Sequence, residues 1–372
     1  MLSLPAVVPQ YGPRRVTNEQ RSRTVINRHI LDLNNRPETA SINKSASKSF
    51  TSRHTNVGAK SKTFEHEGYD KFNETHKKFG ANLTVQNLDG YMYTEKRPYI
   101  CDNCFQTYFT FQGANICNKF SKSDQVDIII LITSAHAHVL QRMALRTTWL
   151  TRTKQNTAKV RYLFILGHNE KYMKQIAKEN EKFQDIITAN FTDSYENLTL
   201  KTIAGFKWIK QRCPQAQVVM KTDDDMFVNV EALIYFSAKY SKYLSDHLFG
   251  ACWVRKPIRS PKSKYFVSNL TYPNETYPKT CSGTAYVTSS KVIGKILDIS
   301  SNVPFFHLED VYVAFCLHQL GISSRRHQGF LSGSLRKHTS PCVYRAKTVI
   351  SAHIHSPTKI VQIWKFKCPK FR

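Results

Sequence analysis

Val218-Val219-Met220-Lys221-Thr222-Asp223-Asp224-Asp225-Met226-Phe227-Val228-Asn229 sets an apolar run directly before three successive carboxylates. The run reads as a strand and the acids as its carboxyl-terminal end. In an extended chain, side chains two apart share a face, so Asp223 and Asp225 would offer oxygens to one metal ion while Asp224 points away. Aspartate also favours solvated turns and helix caps, and an isolated Asp-x-Asp fits either. The flanking sequence decides between these readings.

Upstream, Val126-Asp127-Ile128-Ile129-Ile130-Leu131-Ile132-Thr133 has the continuous apolar core of a central strand covered on both faces. A helix near 138–150, a strand at 160–166, a helix near 170–183, a strand at 185–189 and a helix at 195–211 follow before Val218. Strand-helix repeats of this length predict an α/β domain with a mainly parallel central sheet. Ligands of such sheets lie outside the carboxyl ends of the strands, where the triplet sits, and this favours the metal reading. Downstream, 283–288 reads as a strand and 308–320 as a helix with Leu308, Val311 and Phe315 on its buried stripe.

The chain has 372 residues, of which 41% are hydrophobic, enough for a substantial core. Lys and Arg number 54 against 27 acids, a formal charge of +27 that points to an anionic partner. Nucleic acid, phosphate-bearing small molecules, acidic glycans and membrane surfaces all qualify, but no zinc-finger array or RNP-type signature supports nucleic acid. Nine cysteines and Asn-x-Ser/Thr triplets at Asn43, Asn73, Asn82, Asn190, Asn197, Asn269 and Asn274 suit an oxidising secretory lumen with some cysteines paired. Cys101-x-x-Cys104 with Cys117 lacks the second pair of a standard zinc site. Residues 1–97 are polar, basic and without apolar periodicity, and read as a mostly disordered stem before a folded domain at 98–372. Met1 to Val8 is apolar but short and broken by Pro5, neither a membrane anchor nor a good signal peptide.

Three further groups are candidates for chemistry. Arg142 and Arg146 share one helix face, to be solvated, to contact a nucleotide at the strand end, or to pair with acids of the core. Glu309 and Asp310 open a helix, where acids favour the dipole. Neighbouring helix positions do not share a face, so one acid would enter a site as a general base and the other would be structural. His353 lies in the apolar run Val349 to His355, as a core residue or as an imidazole ligand for Mn²⁺. If that run is a strand, His355 faces the same side.

In these blocks the sequence resembles the β-1,3-glycosyltransferase family, glycosyltransferase family 31, which includes β-1,3-galactosyltransferases and β-1,3-N-acetylglucosaminyltransferases. The blocks are Arg142 to Trp149, Tyr195 to Thr202, Lys221 to Asn229, Tyr277-Pro278 with Cys281 to Tyr286, Glu309 to Val313, and His353 with Ser356-Pro357 and Ile363-Trp364. Together they span about residues 120 to 365, in the family's order. The resemblance implies a GT-A, Rossmann-like nucleotide-sugar-binding fold. It implies inverting transfer of a hexose from UDP-galactose, or second to it UDP-N-acetylglucosamine, to a glycan acceptor on a glycoprotein or glycolipid with a β-1,3 linkage. Carried onto this chain, Asp223 and Asp225 hold Mn²⁺ and the diphosphate, His353 is the third metal ligand, and Asp310 is the general base. Arg142, Arg146 and Asp224 fall among the donor-site positions, and Lys264 falls in a family-like region that lines the donor or acceptor site. The family's type II membrane anchor and Golgi location are implied too, although no anchor is visible in this chain. Ala314, where the family usually has Gly, and Gln141, where Arg is more frequent, depart from the pattern. The competing reading is a catalytically silent glycan-binding or scaffold protein of the secretory pathway, and the intact Asp223, Asp225 and Asp310 speak against it.

Overall fold

Successive residues of the strand Ile128–Thr133 enter opposite apolar clusters: Ile129 and Leu131 one, Ile128, Ile130 and Ile132 the other. All six side chains are buried, so the unbroken apolar run marks a strand with helices on both faces. The computed structural model describes residues 105–113, 116–117, 126–333 and 339–369, and the backbone of 82–86 and 92–96. The expected stem lies outside these residues except for β1 (Asn82–Gln86) and β2 (Met92–Lys96), which pair antiparallel where no ordered element was expected.

In chain order the remaining strands are β3 (Phe109–Gln112), β4 (Ile128–Thr133), β5 (Val160–His168), β6 (Ile186–Thr192), β7 (Val218–Asp223), β8 (Met226–Val228), β9 (His247–Trp253), β10 (Thr280–Ser289), β11 (Ser323–Arg326), β12 (Phe330–Leu331) and β13 (Ser351–His353). Eight of them form one sheet in the order β11-β9-β10-β7-β4-β5-β6-β3. Its centre, β7-β4-β5-β6, is parallel throughout, as expected, while β10 and β3 run antiparallel to their neighbours on either side. A second, small sheet places β13 beside β8, with His353 opposite Met226.

The main helices are α1 (Val139–Arg146), α2 (Glu170–Phe183), α3 (Leu198–Arg212), α4 (Val230–Lys239), α5 (Ser290–Ile299), α6 (Glu309–Gln319) and α7 (Pro357–Lys365). α3, α5 and α6 pack on one face of the sheet, and α1, α2, α4 and α7 contribute to the other. Gly205 lets α3 lie against β4, since a Cβ there would fall 2.5 Å from a methyl of Leu131. α1 is shorter than its apolar pattern suggested. The Thr147 and Thr148 hydroxyls bond back to the carbonyls of Met143 and Ala144, and the chain continues as a tight turn, Trp149–Thr153.

Disulfides join Cys117 to Cys213, Cys252 to Cys281 and Cys342 to Cys368, while Cys316 is buried and free. The first removes Cys117 from any zinc site, and Cys101 and Cys104 lie outside the described residues. The second ties facing residues of β9 and β10, so both ends of the long connection between them are fixed. Each bridge closes a long loop, worth about 3 kcal/mol or more in the chain-entropy account. Among the described residues no helix is long and apolar enough to cross a membrane.

Candidate active site

β7 ends at Asp223, the chain turns through Asp224 and Asp225, and β8 resumes at Met226. The turn sends the three carboxylates in three directions, where an uninterrupted strand would have placed the outer two on one face. Asp223 Oδ1 accepts hydrogen bonds from Thr133 Oγ1 and Lys221 Nζ, both at 2.6 Å. Asp224 is buried and accepts from Ser134 Oγ at 2.6 Å, with His138 Nδ1 at 2.9 Å. Asp225 Oδ2 lies 2.8 Å from His353 Nε2 and 3.7 Å from His355 Nδ1.

Asp225, His353 and His355 can each present a ligand atom within 4.8 Å of the others. Asp225 Oδ1 is buried without a hydrogen-bond partner, which is costly for a carboxylate oxygen unless a cation or donor arrives. One carboxylate and two imidazoles suit a divalent first-row ion such as Mn²⁺. The cluster differs from the expected set of Asp223, Asp225 and His353: Asp223 is engaged by Lys221 and Thr133, and His355 takes a place beside His353. β13 stops at His353, and His355 adopts a left-handed φ of 61°, which carries its ring back to 3.7 Å from that of His353. Burial opposes ionisation of Asp225, yet the His353 hydrogen bond and charge prevail and hold its carboxyl below the ordinary range. Burial likewise works against charge on His353, and Asp225 overrides it, raising the imidazole.

Lys221, one pleat before Asp223, is buried and connects the triplet to the opening of α6. Its ammonium donates to Asp223 and to the Gly283 carbonyl at 2.5 Å, and lies 3.7 Å from Glu309. Burial alone would lower its pKa, but the Asp223 and Glu309 carboxylates raise it above the ordinary lysine range, so it stays charged. Glu309 is buried and accepts from Tyr286 Oη at 2.7 Å. Asp310 faces outward with 19% of its side chain exposed, bonded by the backbone N–H of Val311 (2.9 Å) and Gly283 (3.3 Å) and by Arg255 Nη2 (2.5 Å). A Cβ at residue 283 would fall 2.9 Å from Glu309 Oε2, so glycine is what lets β10 run this close to the helix start.

The family profile described as Galactosyltransferase matches residues 140–328, about half of the chain, from α1 to just beyond β11. The chain belongs to the galactosyltransferase family. Over 250 residues it is 39% identical to mouse β-1,3-galactosyltransferase 5, covering 64% of this chain and 78% of that protein. Human β-1,3-galactosyltransferase 5 is 36% identical over 244 residues, covering 64% and 77%, and mouse β-1,3-galactosyltransferase 1 is 38% identical, covering 64% and 72%. Among solved structures, the galactosyltransferase LgtC with donor and acceptor sugar analogs has a TM-score of 0.36 at 9% identity, covering 65% of this chain and 98% of that one. A glycosyltransferase involved in glycosylation of the PBCV-1 major capsid has a TM-score of 0.38 at 11% identity, covering 63% and 97%. The family match and these relatives make the protein a glycosyltransferase of the family that includes the β-1,3-galactosyltransferases, and its fold is α/β with a mainly parallel sheet centre.

Not every galactosyltransferase-family position read from the sequence reaches this site. Arg142 is fully buried: it donates to Glu179 with two bonds of 2.7 Å, to Ser134 Oγ, and to the carbonyls of Ala135 and His136. Arg146 pairs with Glu179 and, by two bonds, with Asp185. Of the fates the sequence offered these arginines, the structure shows pairing with core acids, as buried guanidinium groups require. Asp224 is likewise held by protein partners: it anchors Ser134 and His138, and through Ser134 the Arg142 network supports the turn from behind. Burial opposes ionisation of Glu179, but both arginines hold its carboxyl below the ordinary range. Its contribution to stability is therefore complete above the unfolded glutamate pKa and lost as pH falls through the lower folded value. Glu179→Ala, which leaves Arg142 buried without an acid, is expected to cost about 3 to 5 kcal/mol in urea denaturation at neutral pH.

Lys264 is exposed, with its ammonium 5.2 Å from the Tyr195 ring centre and 4.9 Å from that of Tyr265. Burial, then Tyr265, and then the charges of Asp310 and Asp223 raise the Tyr195 hydroxyl, so this aromatic pair stands within electrostatic reach of both carboxylates. Three residues of the site were missed in the sequence. Lys221 carried a readable signal, sharing a strand face with Asp223. His355 shared a face with His353 only on the strand reading, and Arg255 carried no local signal.

Proposed function

We propose that this enzyme transfers galactose from UDP-galactose to a hydroxyl of a glycan acceptor, with inversion at the anomeric carbon and formation of a β-1,3 linkage, in the Golgi lumen. What supports the reading above all is one arrangement: a carboxylate-imidazole cluster at Asp225 and a partly exposed Asp310, joined beneath by Lys221, Asp223 and Glu309. Asp310 takes the proton of the acceptor hydroxyl as its oxygen attacks the anomeric carbon from the face opposite UDP. The bond from that carbon to the phosphate oxygen breaks, UDP departs, and no covalent enzyme intermediate forms. Mn²⁺ held by Asp225 and His353, with His355 beside them, would offset charge developing on the diphosphate. Lys221 stays charged and keeps Asp223 oriented at the strand end, and Glu309 keeps Lys221 in place.

Galactose is favoured over N-acetylglucosamine because the mouse and human relatives are named galactosyltransferases. The Golgi placement implied by the resemblance is supported by three disulfides, which persist in an oxidising lumen. The test incubates purified protein and Mn²⁺ with UDP-galactose, UDP-N-acetylglucosamine or UDP-N-acetylgalactosamine, with and without oligosaccharide acceptors, and measures UDP release. Acceptor-dependent release is expected to be about tenfold or more faster from UDP-galactose than from the other donors. A preference for another donor overturns the choice of sugar. Silence with every donor favours the non-catalytic scaffold.

A further inference from the structure

The connection between β9 and β10 forms a wall beside Asp310, and its charge is lopsided. Residues 254–279 hold six cations, Arg255, Lys256, Arg259, Lys262, Lys264 and Lys279, against the single acid Glu275. Arg259 is used internally, donating to the carbonyls of Val267, Ser268, Tyr272 and Asn274 and so folding the connection on itself. Lys256, Lys262, Lys264 and Lys279 are exposed and form no ion pair with the described residues. Exposed aromatic rings stand among them: Trp253 beside the Arg255 guanidinium, and Tyr265 with Tyr195 beside Lys264. Aromatic faces and cations around a partly exposed carboxylate make a surface for a charged saccharide.

Arg255 makes the case specific. Its Nη2 occupies Oδ2 of Asp310, while its Nε is buried without a hydrogen-bond partner. Both features are unfavourable for transfer as they stand. The oxygen that should receive the acceptor's proton is covered by a guanidinium edge, and Asp310 Oδ1 already accepts from Val311. A buried donor without a partner also costs about 1 to 3 kcal/mol. An oxyanion on the acceptor relieves both, because two oxygens of a carboxylate or of a tetrahedral sulfate can pair with the Nε and Nη fork of arginine. Drawn to that anion, Arg255 leaves Asp310 Oδ2 with only the long 3.3 Å bond from the Gly283 N–H, and so accessible to the neighbouring hydroxyl.

We infer that the acceptor is an anionic glycan, a saccharide bearing a carboxylate or sulfate close to the hydroxyl that is glycosylated, and that Arg255 is the contact that selects it. The inference rests on the hexosyl transfer proposed above. Proton balance is unchanged: the acceptor hydroxyl loses its proton to Asp310, the new glycosidic bond forms, and UDP leaves with the electron pair of the broken bond. The acceptor's anion is a spectator that binds and orients.

The experiment compares one oligosaccharide acceptor in three forms, neutral, sulfated and with a terminal uronic acid, and reads kcat/KM from UDP release. Wild-type protein is expected to favour a charged form over the neutral one by about tenfold or more, with the ratio falling as salt is raised. In Arg255→Gln, checked for folding by its circular dichroism and melting temperature, the ratio is expected to fall toward one. Arg255→Lys, which keeps charge but loses the fork, should fall between the two. Whichever charged form gives the larger ratio identifies the anion. Equal turnover of all three forms by the wild type, or an undiminished ratio in Arg255→Gln, overturns the inference while leaving hexosyl transfer intact. Absence of UDP release in every arm overturns both.

Discussion

Asp310→Asn is expected to slow transfer about a thousandfold while changing UDP affinity no more than a few-fold, the magnitude belonging to loss of a general base. Asparagine keeps the size of the side chain, and its amide oxygen still accepts the Val311 N–H that now bonds Oδ1, while the amide NH2 standing in for Oδ2 gives up the longer bond from Gly283. It loses the Arg255 ion pair and the ability to take a proton. The pair involves partly exposed groups, with 29% and 19% of the side chains accessible, so its loss costs on the order of 1 kcal/mol or less in stability. Glu309→Gln provides the contrast one residue away. Glu309 is buried against Lys221 and Tyr286, and leaving Lys221 short of one acid is a stability defect before it is a catalytic one. Single-turnover rates with UDP-galactose, read beside UDP titrations, separate the two variants. A fall of less than tenfold in Asp310→Asn would remove Asp310 from the role of base.

The fold was legible where burial is two-sided and local. The six-residue run of β4 has no polar interruption until Thr133, and a strand covered on both faces is the economical explanation of such a run. β9 was not read because His247–Trp253 mixes Gly, Ala and Cys with its larger residues and has neither an apolar run nor alternation. The position of the triplet at a strand end was legible, but its side-chain directions were not. A turn at Asp224 and an uninterrupted strand are both compatible with apolar residues on either side, and only the pairing of β8 with β13 decides. Arg142 illustrates the same limit. Its three possible fates differ by a contact with Glu179, 37 residues away, which no local pattern encodes. Arg255 meets Asp310 across 55 residues and was invisible for the same reason. Adjacency in a helix, by contrast, is a local rule, and it correctly anticipated that Glu309 and Asp310 face different surroundings.

Asp225→Ala and His353→Ala are each expected to weaken Mn²⁺ binding about a hundredfold or more, whereas Asp223→Ala weakens it less than about tenfold. The asymmetry follows from the turn. Asp225 Oδ1 has no partner, so a cation gains that oxygen without breaking a hydrogen bond to it, and the other oxygen already faces both histidines. Drawing Asp223 in would strip Lys221 of its 2.6 Å partner, deep in the protein, and leave the Thr133 hydroxyl only the Thr222 carbonyl at 3.4 Å. His355→Ala should fall between these limits, since that ring is 58% exposed and stands farther from Asp225 than His353 does. Titration of the free Mn²⁺ signal by electron paramagnetic resonance reads the affinities directly, without reference to turnover. Losses of equal size in Asp223→Ala and Asp225→Ala would mean that metal binding rearranges the turn, with Lys221 passing wholly to Glu309 as Asp223 swings out. In that event Lys221→Met would tighten the metal, because Asp223 would no longer be held back. If instead the asymmetry holds, Lys221→Met should leave Mn²⁺ affinity nearly unchanged, and Asp223 acts by shaping the strand end on which the donor rests.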